Sequence, residues 1–91
     1  MATVYIPTML QSLSGGATQV SIKATTVRQI VARLEALYPG MEASLVEDGE
    51  LKPHIAVAVD GEVSVSGLLE RVSEDSEVHF IPALGGGSTG R

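Results

Sequence analysis

The period of the hydrophobic pattern changes at Thr25 and Thr26, and that change restricts the folds open to this chain. Before it, residues 18–24 alternate, with Val20 and Ile22 on one face and Gln19, Ser21 and Lys23 on the other, the pattern of a half-buried strand. After it, Val27, Ile30, Val31, Leu34, Leu37 and Tyr38 recur at three- and four-residue spacing, the stripe of an amphipathic helix of about three turns. Thr26 followed by Gln29 predicts a capping box at its start, and Pro39-Gly40 stops it. An earlier strand is expected over residues 3–7, with Val4 and Ile6 on one face, and Gly15-Gly16 marks the turn between the two strands.

Beyond the helix, residues 41–52 are acidic and turn-rich, with Leu45 and Val46 in position for a short helical turn against the core. The apolar run at 55–59 reads as a strand buried on both faces, and Asp60-Gly61 predicts a type I′ hairpin turn into a return strand through Val63 and Val65. Leu68, Leu69 and Val72 form a further apolar cluster, and residues 77–81 form the last strand. The order strand, strand, helix, strands predicts an α+β fold of the β-grasp type, a mixed sheet of four to five strands packed against one main helix. First and last strands lying side by side would run parallel, with the helix in the crossover. The expected division is a folded domain over residues 1–82 and a glycine-rich tail over residues 83–91.

A chain of 91 residues buries about two thirds of its unfolded surface at most, so one modest core is available. With one Phe, two Tyr and no Trp, it lacks the aromatic platforms on which single-stranded nucleic acid stacks, and a net charge of −5 opposes phosphate binding. The absence of cysteine excludes a disulfide, a thiolate metal site and a catalytic thiol. His54 and His79 are too isolated to predict a zinc site, and Gly15-Gly16 precedes a strand and lacks the Lys-Ser/Thr pair of a phosphate loop. No basic leader and no run of about eighteen apolar residues is present, so a cytoplasmic protein with no membrane partner is expected. Arg28 and Arg33 fall off the helical stripe and are expected in solvent, while Glu70, Glu74, Asp75 and Glu77 form an acidic surface near the last strand. Nothing in this pattern sets two carboxylates in a cleft, so no catalytic residue is assigned.

After Pro82 the pattern stops, and the sequence continues Ala83-Leu84-Gly85-Gly86-Gly87-Ser88-Thr89-Gly90-Arg91. A glycine run has the highest backbone entropy of any sequence, so the tail is expected to project from the last strand. The β-grasp order combined with Phe80-Ile81-Pro82-Ala83-Leu84-Gly85-Gly86-Gly87 resembles the small ubiquitin-like sulfur carriers of the MoaD/ThiS type, which end in a strand, a proline-containing exit and a diglycine. Ile6-Pro7-Thr8, Leu10 and Gly15-Gly16 look most like the cysteine-biosynthesis branch, and the hairpin Val59-Asp60-Gly61-Glu62-Val63 is also similar to the family's.

The resemblance implies a carrier cosubstrate that binds no cofactor of its own. An adenylating enzyme similar to ubiquitin-activating enzymes would use ATP to activate the carboxyl of Gly87, or of Gly86 if the register differs. The tail Pro82, Ala83, Leu84, Gly85 and Gly86 would thread into that enzyme. Sulfur would then replace AMP, and the thiocarboxylate would serve a sulfur-accepting enzyme of cysteine, thiamine or molybdopterin-type biosynthesis. Residues 88–91 block the carboxyl of Gly87, so a protease, often a metalloprotease in such systems, is expected to trim them. The alternatives are a protein modifier joined to a lysine amine through the same glycine, or a β-grasp interaction module with an inert tail.

Overall fold

The structure is a computed structural model that describes residues 1–82. In chain order these form β1 (Ala2–Tyr5), β2 (Gln19–Ile22), α1 (Val27–Leu37), α2 (Met41–Leu45), β3 (Val46–Glu47), β4 (Glu50–Leu51), β5 (Ile55–Val59), β6 (Glu62–Val63) and β7 (Glu77–Pro82). Single 3-10 turns occur at Thr8–Leu10 and Gly67–Leu69. The main sheet has five strands in the order β2-β1-β7-β5-β6, so the last strand lies in its centre. β7 runs parallel to β1, and β1–β2, β5–β7 and β5–β6 are antiparallel. This is the β-grasp arrangement, with α1 in the crossover that a parallel pair requires.

The helical stripe explains the packing. Val27, Ile30, Val31 and Leu34 are each at most 2% exposed and share one cluster with Ala2, Val4, Ile22, Val57, Val78 and Phe80 from the sheet. Each such aliphatic side chain contributes about 1.5–3 kcal/mol relative to exposure. Leu37, the outermost residue of the stripe, is 54% exposed, so the stripe is wider than the face the sheet covers. At the helix start the Thr26 hydroxyl accepts from the Gln29 N–H at 3.2 Å. The reciprocal half of the expected capping box is shifted by one residue, because the Gln29 amide oxygen accepts from the N–H of Thr25 at 2.8 Å.

Several expectations are corrected. The region 41–52 is more ordered than its composition suggests: α2 buries Met41 and Leu45 completely, and β3 and β4 form a separate two-stranded hairpin. Asp48 and Gly49 close that hairpin at φ 57° and 80°, the same positive-φ pair that Asp60 and Gly61 adopt at 53° and 88°. The return strand β6 ends at Val63, and Val65 is fully exposed. In the last apolar cluster Leu68 and Val72 are buried, whereas Leu69 is 71% exposed. β5 is covered by the core on one face only; on the other, Ala58 is buried and Ala56 half-buried among sheet neighbours.

Candidate functional site

The residues expected to carry chemistry divide at Pro82. Ala83, Leu84, Gly85, Gly86 and Gly87 lie outside the described residues, as does the expected projection of the tail, and Pro82 is the exposed last residue of β7. The structure therefore defines the root of the tail. β7 is gripped on both sides over its first half, where Thr3, Val4 and Tyr5 pair with Glu77, Val78 and His79. Over its second half it pairs with β5 alone, from Val57↔Phe80 to Ile55↔Pro82. Pro7 follows β1 at the point where the chain turns away from β7. Proline at Pro82 suits a position where a partner strand on one side is absent, since it removes a donor.

Where β1 leaves β7, a hollow of about 370 Å³ opens between Tyr5, Pro7, Met9, His79 and Pro82. Beside it, on the sheet face away from α1, the Tyr5 and His79 rings stack with centroids 4.2 Å apart and planes 7° from parallel. The register sets this pair, because Tyr5 and His79 are direct neighbours across the parallel strands. Ala58 lies beside His79 and Ala56 beside Ile81 on β5, so small side chains keep this face flat. Alternation places His79 opposite Val78 and Phe80, and the same rule applied to residues 3–7 puts Tyr5 opposite Val4 and Ile6, on the face of His79.

The start of β7 is held by the β5–β6 turn. The Asp60 carboxylate accepts from the Glu77 N–H at 2.9 Å and from the Ser76 hydroxyl at 3.0 Å. Ser76 is 2% exposed, and its hydroxyl oxygen also accepts from the Ser73 N–H at 2.9 Å. The type I′ turn signal is thus also an anchor for the tail strand.

The acidic residues near β7 do not converge on one site. Glu70 accepts from the Ser64 hydroxyl at 2.6 Å, Glu77 lies 3.9 Å from the His79 imidazole, and Glu74 and Asp75 are in solvent. Arg28 and Arg33 are exposed, as the helical phase predicts, and His54 is exposed before β5. Among the described residues no three His, Cys, Asp or Glu side chains are placed to share a metal ion. No described helix is long and apolar enough to cross a membrane.

A β-grasp domain whose central strand leads through a proline into a glycine run has the architecture of the ubiquitin-like carrier proteins. The family model described as ThiS family matches residues 4–87. The sulfur carrier protein CysO of Mycobacterium tuberculosis is 33% identical over 90 residues, covering 93% of this chain and 97% of its own. The small archaeal modifier protein 3 of Haloferax volcanii is 36% identical over 64 residues, covering 68% and 70%. The structure of the Amycolatopsis orientalis BexX/CysO complex contains a chain that superposes with a TM-score of 0.87 at 34% identity, covering 96% of this chain and all of that one. The chain belongs to the ThiS family and is a ubiquitin-like protein of the MoaD/ThiS type, a sulfur carrier or a protein modifier.

Proposed function

We propose that the chain carries sulfur as a thiocarboxylate on the α-carboxyl of Gly87. The observation that carries this reading is that the family match runs from Val4 through the glycine run and ends at Gly87, leaving residues 88–91 outside it. A carboxylate is a poor electrophile, so activation comes first. A partner enzyme transfers AMP from ATP to the Gly87 carboxyl and releases pyrophosphate. A hydrosulfide-level donor then attacks the acyl carbon, AMP leaves, and the product is the thiocarboxylate. Removal of residues 88–91 by a protease precedes these steps. The thiocarboxylate passes to a sulfur-accepting biosynthetic enzyme, with cysteine biosynthesis favoured by the resemblance of Ile6-Pro7-Thr8, Leu10 and Gly15-Gly16 to that branch of carriers.

The structure gives this reading a mechanical logic. Tail residues without side chains suit a narrow active site, and the strand that leads into them is held between β1 and β5 over its first half. The flat face around Tyr5 and His79 adjoins that root and supplies a docking surface for the activating enzyme. The second reading, a protein modifier joined through Gly87 to a lysine amine, is favoured by the similarity to the small archaeal modifier protein 3. Adenylation is common to both.

ATP–pyrophosphate exchange with the host's adenylating enzyme tests the register. The chain ending at Gly87 is expected to support exchange, and chains ending at Gly86 or running to Arg91 are not. Exchange by the untrimmed chain, or by none of the three, would remove Gly87 from the mechanism. Recovery of covalent conjugates in place of thiocarboxylate would favour the modifier.

A further inference from the structure

The sheet has an open edge at β2 that the carrier chemistry does not use. In the antiparallel β1–β2 pair the Ile6 N–H donates to the Thr18 carbonyl at 2.9 Å, and the register continues Val4↔Val20 and Ala2↔Ile22. Residues opposite one another alternate between hydrogen-bonded and non-hydrogen-bonded pairs, so these pairs turn their backbone groups toward β1. The N–H and C=O groups of Gln19 and Ser21 then point outward, and among the described residues no further strand pairs with them.

Alongside this edge runs a cleft of about 260 Å³ between β2 and α1, lined by Met1, Ile22, Ala36 and Leu37 with Lys23 and Arg33 on its rim. Leu37 at 54% exposure and Met1 at 63% are apolar side chains that the fold leaves uncovered here. Neither Lys23 nor Arg33 has an ion-pair partner among the described residues, in a chain with 6 Lys and Arg against 11 Asp and Glu. Both cations also line the adjoining cavity, together with Glu74, which forms no ion pair with either among the described residues.

We propose that the β2–α1 cleft is a second binding site, one that takes an extended segment of a partner protein as an added strand along β2. The outward backbone groups of Gln19 and Ser21 bond the segment's main chain, its alternate aliphatic side chains lie against Met1, Ala36 and Leu37, and flanking carboxylates meet Lys23 and Arg33. Charge selects this occupant. A second copy of the chain would bring another Lys23 and Arg33 to the same joint, whereas an acidic, aliphatic segment is complementary to them.

The test is amide and methyl NMR titration of the full chain at low salt with a ten-residue peptide that alternates valine with threonine and carries two glutamates at each end. Saturable shifts are expected at Gln19, Ser21, Ile22, Lys23 and Leu37, with the Tyr5 and His79 face unmoved. Ser21→Pro removes an outward N–H at an edge, where proline is tolerated, and is expected to abolish binding while leaving the remaining spectrum intact. Arg33→Glu, at an exposed helix position, is expected to weaken binding about twofold to fivefold, in line with loss of one rim charge pair. A peptide with lysine in place of glutamate should bind as weakly. The proposal is overturned by shifts located away from β2 and α1, by no saturable shift, by undiminished binding to Arg33→Glu, or by self-association through β2 in place of peptide binding.

Discussion

Asp60 offers a measure of how firmly the tail strand is anchored. Its carboxylate receives two hydrogen bonds from the start of β7, at 2.9 Å from the Glu77 N–H and 3.0 Å from the buried Ser76 hydroxyl, and its backbone sits at φ 53°. A typical hydrogen bond contributes about 0.5–1.5 kcal/mol net, so the two together contribute about 2 kcal/mol. Asp and Asn visit the left-handed region readily, while an alanine there costs about 1 kcal/mol more. Asp60→Ala is therefore expected to destabilise by about 3 kcal/mol. Asp60→Asn keeps an acceptor for Glu77 and the turn geometry, loses the acceptor for Ser76, and is expected to lose about 1 kcal/mol. In urea unfolding followed by circular dichroism, with a slope of about 1 kcal/mol/M, the midpoints should fall by about 3 M and about 1 M. Hydrogen exchange at the Glu77 amide should accelerate most in the alanine variant. Losses below about 0.5 kcal/mol in both, the range of an ordinary surface substitution, would show that Asp60 does not anchor β7. Equal losses in the two would refute the division between bond and backbone.

Two other expectations rest on the same structure. Phe80 is 3% exposed in the centre of the core, so Phe80→Ala should cost about 3–5 kcal/mol in the same unfolding assay and bring a domain of this size close to unfolding. Thr26→Ala removes the hydroxyl that accepts from the Gln29 N–H and should cost about 1 kcal/mol, with exchange rising first at the α1 N-terminus.

Much of the fold is visible in the sequence because its two periods are clean. Val20 and Ile22 alternate with polar neighbours, the α1 stripe repeats at helical spacing, and the parallel β1–β7 pair follows once the helix is placed between them. The β3–β4 hairpin is hidden in the sequence for a definite reason. Asp48-Gly49 is the same turn signal as Asp60-Gly61, yet its flanking strands are two residues each, too short to show alternation. Leu37, Val65 and Leu69 fit the apolar pattern of their neighbours, yet local spacing carries no information on where the sheet and helix stop covering one another. Met41, fully buried under α1, shows the converse: an acidic neighbourhood concealed a core residue. The candidate site was legible in a different sense. The glycine run announces itself in sequence, whereas the Tyr5–His79 stack and the Asp60 anchor depend on which strands become neighbours across more than 70 and 16 intervening positions.

The central claim is that Gly87 bears the sulfur, and the intact mass of the untagged protein purified from its own host tests it most directly. A species ending at Gly87 is expected, with a fraction heavier by one oxygen-to-sulfur exchange that disappears when the adenylating enzyme is deleted. Finding only the chain through Arg91 while the pathway is active would contradict it, because an amide at Gly87 leaves no carboxylate to adenylate.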